Sequence, residues 1–286
     1  MPQPKLPTGR NSVHAFIPVA RFADMLLNPG ASYDFNGQRL TYPDIRLVYW
    51  CGGNPFHKVQ DLNKLLRAWQ RPETIIIHEP WWTPSAQRSD IVLPCTTTLE
   101  RNDIGVSLSD GCYFAMQQAM APVGEARSDY AIYSALAARL GCAEHFTEGR
   151  SEMEWLHHLY AEARQQAAQQ QLTLPPFEAF WEAGTVDVPR PEHPPVLFAA
   201  FRQDPDAHPL PTPSGRIEIF SETIDRFGYE DCPGHATWLE PAEWLGSPQT
   251  AHYPLHLLSN QPSARLHSQL DCSTVSRQAK VADREA

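Results

Sequence analysis

The feature that most constrains the fold is an alternation of short apolar runs with helical patterns between residues 44 and 142. The runs 45–50 (IRLVYW), 73–78 (ETIIIH) and 91–94 (IVLP) have the length of buried strands, and Gly52-Gly53 ends the first one. Between the first two runs, apolar residues recur at the i, i+3, i+4, i+7 spacing of one helix face. Short strand–helix–strand connections predict a parallel sheet, so the sequence predicts an α/β fold with a doubly wound, Rossmann-like sheet.

Changes in this pattern divide the chain into four predicted segments. Residues 1–43 are an entry loop and a short helix, residues 44–145 form the α/β domain, residues 146–250 form an irregular α+β connecting lobe, and residues 251–286 begin a C-terminal barrel domain. A helix capped at Ser128-Asp129 closes the α/β part.

The connecting lobe contains two predicted helices and a strand. A capping box, Ser151-x-x-Glu154, predicts a helix that runs to about Gln170, and Pro175-Pro176 begins a second helix. The run RIEIF (216–220) predicts a strand within proline-rich chain, and LHLL (255–258) predicts another. No further element follows the last strand, so we expect the chain to be truncated after it.

Composition excludes several classes of protein. The apolar fraction of 42% and the charged fraction of 20% are those of a globular protein, and a net charge of −10 argues against nucleic acid or anionic lipid as partners. Six cysteines without a C-x-x-C pair argue against a zinc site, an iron–sulfur cluster or a disulfide framework. No run is long enough to span a membrane, and the first eleven residues do not form a signal peptide. Reduced cysteines favour the cytoplasm, with the periplasm open because the true N-terminus is expected to lie upstream of Met1.

Candidate binding residues follow the predicted strands. Glycines and Asn54 come directly after the first strand, where backbone can approach a ligand, and Glu79 follows the second strand. The 25 residues from Asn54 to Glu79 are near the spacing at which dinucleotide folds place a ribose-binding acid. Without a G-x-G-x-x-G motif, a simple strand-ending turn is the alternative interpretation of Gly52-Gly53-Asn54-Pro55.

The order of several motifs is more specific. These are W-C-G-G-N-P-F (50–56), Q-D-L-N-K (60–64), S-D-I-V-L-P (89–94), T-T-L-E-R-N-D (97–103), E-A-R-S-D-Y (125–130), S-G-R-I-E-I-F-S (214–221) and R-L-H-S-Q-L (265–270). In this order they resemble the bis-molybdopterin-guanine-dinucleotide oxidoreductases, in the branch of dimethyl sulfoxide, trimethylamine N-oxide and biotin sulfoxide reductases. The resemblance spans nearly the whole chain.

The resemblance implies a molybdenum enzyme that removes an oxygen atom from a small S-oxide or N-oxide in a two-electron reaction, with an electron donor as partner. Its cofactor would be Mo-bis(molybdopterin guanine dinucleotide). The protein ligand to molybdenum, usually a serine in this branch, would lie upstream of these residues. The chain alone is therefore expected to supply cofactor binding without turnover, and to expose apolar faces of the helix at 153–170 and of the strand at 255–258.

The resemblance also implies residue roles. Asn54 corresponds to a cofactor contact, His78 and Glu79 to a nucleotide-contacting pair, Arg101 to a diphosphate or ribose contact, and Asp129 to the carboxylate that binds guanine. Lys58 stands where the family usually has a second contact, often histidine. The loop that lines the pterin corresponds to Ser259, Asn260, Gln261, Pro262, Arg265, His267, Ser268 and Gln269.

Each residue also has a plain structural interpretation. His78 could be a satisfied core-edge histidine, Arg101 could form an ion pair with Glu100 or Asp103, and Asp129 could be only a helix cap. Two other functions remain open: another molybdopterin oxidoreductase, such as a formate dehydrogenase or nitrate reductase, and a non-catalytic nucleotide-binding remnant or scaffold. Metal analysis separates the last of these from an enzyme.

Overall fold

A computed structural model describes residues 5–14, 16–107, 111–188, 196–258, 263, 266 and 273–278. The strands are β1 (Ser32–Phe35), β2 (Gln38–Thr41), β3 (Leu47–Cys51), β4 (Thr74–His78), β5 (Ile91–Leu93), β6 (Asp103–Ser107), β7 (Cys112–Met116) and β8 (Thr185–Asp187). The α-helices are α1 (Phe22–Leu27), α2 (Pro55–Lys58), α3 (Leu62–Ala68), α4 (Asp129–Arg139), α5 (Ala143–Thr147), α6 (Glu152–Gln169), α7 (Phe177–Ala183), α8 (Ala199–Gln203), α9 (Glu222–Asp225) and α10 (Thr274–Gln278). Short 3₁₀ turns lie at Val19–Arg21, Ala86–Arg88, Thr98–Glu100 and Pro248–Ala251.

The contacts group the chain into two compact units. The first unit comprises Met1–His14, Leu47–Gly52 and Glu73–Val196, and the second comprises Ala15–Arg46, Gly53–Pro72 and Leu197–Ala286. The first unit holds β3 to β8 and α4 to α7, and the second holds β1, β2 and the remaining helices. The division into four segments stays a prediction.

The predicted parallel sheet is present in the first unit. Its strand order is β3-β4-β5, and both pairs are parallel. The first two apolar runs place Val48, Ile75 and Ile77 in the core of the unit, whereas β5 is only partly buried. An apolar run buried in this way is typical of parallel strands covered by other elements. The α/β prediction is confirmed at this level.

An antiparallel sheet and an aromatic core complete the first unit. The sheet has the order β6-β7-β8, and the sequence did not predict it. One face of α6 packs on α7 and β7, where the rings of Tyr160 and Phe180 stack at 4.4 Å and both side chains are fully buried. Ser151 caps α6 in the predicted capping box with Glu154. The expectation that the helix at 153–170 exposes its apolar face is wrong, because α7 covers that face.

The second unit is built around a hairpin and short helices. β1 and β2 pair antiparallel, and the rings of Tyr33 and Tyr42 stack at 4.4 Å beside them. α1 packs against α3, and an ion pair of 2.5 Å between Asp24 and Lys64 joins the two helices. Apolar side chains at this contact, among them Leu65, are fully buried.

Two predicted strands in the second unit are absent from the described residues. The segment 216–220 is irregular chain with bends, in which Thr212 donates its hydroxyl proton to the Arg216 carbonyl and Glu218 accepts from the Ser214 N–H. Residues 255–258 are extended chain with highly exposed leucines. An alternating apolar pattern becomes a strand only where another strand offers its N–H and C=O groups, and no described residue pairs with either segment.

Candidate functional site

The three parallel strands end in one row at the carboxyl edge of the sheet. Cys51, His78 and Leu93 are the last residues of β3, β4 and β5, and the register pairs Cys51 with His78 and His78 with Leu93. Glu79 follows His78, and its N–H donates to the Leu93 carbonyl at 3.3 Å. Ligands of open α/β sheets bind at this edge, so the row is the candidate site.

Asp129 is connected to this edge through the chain before α4. That chain runs beside the segment after β5, where the Arg127 N–H donates to the Pro94 carbonyl at 3.1 Å and the Thr96 N–H donates to the Arg127 carbonyl at 3.0 Å. Ser128 then accepts a hydrogen bond from the first helical turn, which makes it the cap of α4. Asp129 is the first helical residue rather than the cap, at a position where the helix dipole favours negative charge.

His78 joins Asp129 to a residue on the neighbouring strand. Its side chain is only 1% exposed, and its Nδ1 atom lies 2.7 Å from Asp129 Oδ1. Its Nε2 atom lies 2.7 Å from the hydroxyl of Tyr49. Because a carboxylate oxygen accepts, we assign the proton of the first hydrogen bond to Nδ1, which leaves Nε2 as the atom that faces the Tyr49 hydroxyl. Both ring nitrogens therefore have partners within the chain.

The Asp129 carboxylate faces solvent. Its side chain is 52% exposed, and Oδ1 is held by His78. Oδ2 has no hydrogen bond to any of the residues that the structure describes. One oxygen is thus fixed in position while the other can accept a hydrogen bond from a ligand.

Tyr133 covers His78 from the next turn of α4. The two rings lie 5.0 Å apart at 30°, and the Tyr133 hydroxyl donates to the Cys51 sulfur at 2.7 Å. Burial raises the pKa of the Tyr133 hydroxyl and also that of the Cys51 thiol. Both groups therefore keep their protons at neutral pH, and Cys51 is a neutral thiol rather than a nucleophile.

Glu79 presents a second carboxylate beyond the sheet edge. It accepts hydrogen bonds from the Trp81 N–H at 3.3 Å and from the Thr83 hydroxyl at 3.1 Å. Partial burial nevertheless raises the pKa of Glu79, since removal from water disfavours its charged form. A ligand that donates hydrogen bonds, such as one with a pair of hydroxyl groups, would replace the water that this carboxylate has lost.

Asn54 belongs to the second unit. Its side chain is buried, and its Nδ2 atom lies 2.7 Å from His57 Nδ1. Gly53 has a φ of +73°, and a Cβ at that position would lie 3.2 Å from Lys58 Nζ. The lysine ammonium thus lies close to the glycine turn, where the positive φ favours glycine.

Arg101 is engaged by a neighbouring residue. Its Nη2 atom lies 2.8 Å from Asp103 Oδ2, which is one of the ion pairs that the sequence left open. Glu100 instead accepts from the N–H groups of Thr97 and Val123, and these hydrogen bonds lower its pKa. To bind a ligand anion, the Arg101 guanidinium must either contact the anion and Asp103 together or release Asp103.

The predicted pterin-side residues lie outside the described residues, and so their predicted contacts stay predictions. They are Ser259, Asn260, Gln261, Pro262, Arg265, His267, Ser268 and Gln269.

Sequence reasoning missed two residues that lie against His78, Tyr49 and Tyr133. A signal for each was present. Tyr133 lies four residues after Asp129, the spacing that places two side chains on the same helix face. Tyr49 lies two residues before Cys51 and so shares its face of the sheet. Which partners these tyrosines contact depended on the pairing of β3 with β4, which the sequence alone did not state.

Two searches of the described part of the chain were negative. No helix there is long and apolar enough to cross a membrane. No group of three or more histidine, cysteine, aspartate or glutamate side chains is arranged there to hold a metal ion.

Comparison with known proteins defines the class of protein to which this chain is related. The sequence model of the molybdopterin oxidoreductase family matches residues 8–139, which include the parallel sheet, His78 and Asp129. Acetylene hydratase from Pelobacter acetylenicus has a similar fold, with a TM-score of 0.60 at 22% identity, over 84% of this chain and 30% of that chain. This chain therefore contains a molybdopterin oxidoreductase domain, and the resemblance found in its motifs is confirmed.

Within that class, the chain is similar to reductases of sulfoxides and N-oxides. It is 52% identical to the biotin sulfoxide reductase of Cereibacter sphaeroides over 96% of this chain and 36% of the relative. It is 49% identical to the dimethyl sulfoxide/trimethylamine N-oxide reductase of the same organism, over 94% and 33% of the two chains. The trimethylamine-N-oxide reductase of Haemophilus influenzae is 44% identical over the same two fractions. The chain spans about a third of the length of these relatives.

Proposed function

We propose that this chain contributes cofactor binding to a molybdenum-dependent S-oxide or N-oxide reductase, and that the carboxyl edge of β3-β4-β5 holds the guanosine end of a molybdopterin guanine dinucleotide. The observation that carries the proposal is the Asp129 carboxylate, fixed by His78 and open on its other oxygen at this edge. The identity of about half the residues with sulfoxide and N-oxide reductases, over nearly the whole chain, supports the reaction class.

The residues at the edge fit the chemistry of a guanosine. Guanine presents two adjacent N–H donors, and Asp129 offers a carboxylate that can accept from them. Ribose presents hydroxyl groups, and the partly buried Glu79 gains hydrogen bonds by accepting from them. Both carboxylates lie in the first unit next to the ends of parallel strands, where open α/β sheets bind nucleotides.

The second unit also fits an anionic ligand. Lys58 Nζ lies close above the turn at Gly53, so a phosphate near this turn would meet an ammonium group and a backbone without a side chain. Asn54, which we propose as a cofactor contact, follows that turn directly. Arg101 is proposed as a further anion contact that would share its guanidinium with Asp103.

The remaining parts of the proposal rest on the resemblance. The eight residues between Ser259 and Gln269 would line the pterin, the parallel sheet would be doubly wound, and residues from 251 onward would begin a barrel. When bound, the molybdenum cofactor supplies two-electron chemistry at the oxygen of the substrate. The residues of this chain would bind and orient the cofactor, and a separate donor would supply electrons. A cytoplasmic location is proposed.

The test is nucleotide binding by Asp129 variants. We expect GDP to bind the chain in calorimetric titration more tightly than ADP, because adenine lacks the paired donors of guanine. Replacing Asp129→Asn turns one acceptor into a donor and should weaken GDP binding by roughly 1.5–3 kcal/mol, the size of a charge-assisted hydrogen bond. ADP binding should stay unchanged.

A helix-end role alone has a different signature. In that case Asp129→Asn would lower the melting temperature slightly and leave the preference for GDP intact. Equal affinity of the native chain for GDP and ADP would contradict the proposed site directly.

A further inference from the structure

The chain Tyr49–His78–Asp129 links a strand, its neighbour and a helix terminus. The Tyr49 hydroxyl and the Asp129 carboxylate each lie 2.7 Å from one nitrogen of the same buried imidazole. His78 is almost completely buried, Tyr49 is partly buried and Asp129 is half exposed, so the carboxylate is the member of the chain most open to solvent. A residue that uses both ring nitrogens in this way has no nitrogen with which to contact a ligand.

We infer that Tyr49 and His78 are positioning residues that orient the guanine-binding carboxylate of Asp129, and that His78 makes no direct contact with the nucleotide. This inference rests on the proposed function of the sheet edge, and it reassigns His78, for which the resemblance implies a direct contact. Tyr49 has no role in the resemblance at all.

The protonation of the imidazole is the physical core of the inference. In an open carboxylate, both oxygens rotate together about the Cβ–Cγ bond, and a ligand must stop that rotation when it binds. The Nδ1–H of His78 holds Oδ1 and therefore also sets the direction of Oδ2. In this arrangement the Tyr49 hydroxyl would donate to Nε2, 2.7 Å away, and so favour the tautomer with its proton on Nδ1. Preorganisation of this kind raises affinity because less freedom is lost on binding.

The chain offers a matched pair of variants. Tyr49→Phe removes the hydroxyl that contacts His78, whereas Tyr133→Phe removes a hydroxyl from the ring stacked on the same imidazole, one that donates to Cys51 instead. Both substitutions keep the aromatic ring. We expect Tyr49→Phe to weaken GDP binding about threefold to tenfold, the range of a lost neutral hydrogen bond. Tyr133→Phe should change it by less than about twofold, and ADP binding should be unaffected by either.

A double-mutant cycle distinguishes positioning from direct contact. If Tyr49 acts through Asp129, then Tyr49→Phe should have less than about a twofold effect on GDP binding in an Asp129→Ala background. An undiminished effect in that background would overturn the inference. The inference would also be overturned if Tyr49→Phe bound GDP normally while Asp129→Ala bound it more weakly. In that case the proposed nucleotide site would stand. An Asp129→Ala variant that binds GDP normally would overturn both.

Nitrogen-15 spectra of the imidazole give a readout that needs no ligand. We expect the His78 signal of the native chain to show a proton on Nδ1, and Tyr49→Phe to shift the Nε2 signal while Tyr133→Phe leaves it in place. A ring protonated only on Nε2 would overturn the inference. Addition of GDP should leave a proton on Nδ1, whereas loss of that proton on addition of GDP would indicate a direct contact and overturn it as well.

Discussion

Two regions rich in apolar residues have opposite outcomes in this protein. In the first unit, the face of α6 packs on α7, and Tyr160 and Phe180 are completely buried. In the second unit, Ile219, Leu255 and Leu257 are about nine-tenths exposed. The sequence predicted a regular element for each region, and only the helices formed.

The difference lies in how each element satisfies its backbone. A helix closes its hydrogen bonds within its own segment, so α6 needed only an apolar neighbour, and α7 follows a few residues later in the chain. A strand requires the backbone of a second strand, which can come from anywhere in a protein. The segments 216–220 and 255–258 find no such partner among the described residues, and the first one satisfies part of its backbone through side chains instead.

The largest expected effect is on the free energy of unfolding, and it distinguishes the buried region of the first unit from the exposed region of the second. Phe180→Ala should reduce the free energy of unfolding by roughly 3–5 kcal/mol, because it removes a fully buried ring and leaves a cavity. Phe220→Ala is the matched control, since this ring is close to half exposed in the second unit, and it should cost less than about 1 kcal/mol. Urea unfolding of both variants measures the two values. Equal losses would show that the second region is packed as tightly as the first.

A smaller effect concerns a hydroxyl inside the aromatic core. The Tyr160 hydroxyl is buried without a hydrogen-bond partner among the described residues, and burial raises its pKa to about 12. Tyr160→Phe should therefore leave stability unchanged or raise it by about 1 kcal/mol, since an unsatisfied polar group is removed. Tyr253→Phe, at an exposed ring, should change it by less than about 0.5 kcal/mol. A clear loss of stability in Tyr160→Phe would reveal a partner for this hydroxyl.

An effect of similar size compares two helix caps. Ser151 caps the long helix α6 in a reciprocal box with Glu154, and Ser221 caps the four-residue α9 alone. Ser151→Ala should cost about 1 kcal/mol, and Ser221→Ala should cost less because so short a helix contributes little. Thermal unfolding of the two variants checks the order, and a larger loss in Ser221→Ala would contradict it.

The same cap predicts a pH dependence. Hydrogen bonds from Ser151 lower the pKa of Glu154 below its ordinary value of 4.5. A depressed pKa in the folded state contributes stability above the ordinary pKa, and this contribution is lost as the pH falls through the folded value. The difference in stability between the native chain and Ser151→Ala should therefore be larger at pH 7 than at pH 3. A difference that grows at low pH would rule out this box as its source.

The sequence by itself determined the elements whose signals are local. The three apolar runs predicted the strands of the parallel sheet, and the caps at Ser128 and Ser151 predicted where α4 and α6 begin. The ordered motifs also predicted the family, which is confirmed, whereas the role of Asp129 in a nucleotide site stays a prediction. Hydrophobic periodicity and capping act over a few residues, which is why a single sequence reveals them.

Only the tertiary structure decided which distant residues meet. The pairing of β3 with β4 places Tyr49 beside His78. Arg127 pairs with Cys95 in the chain after β5, just before α4 begins. Asp129, at the start of α4, contacts His78 although 51 positions of sequence separate the two residues. The same level of structure decided that β6, β7 and β8 form a sheet while 216–220 and 255–258 do not. Strand pairing and buried hydrogen bonds depend on the arrival of a partner from elsewhere in the chain, and no local pattern records which partner arrives.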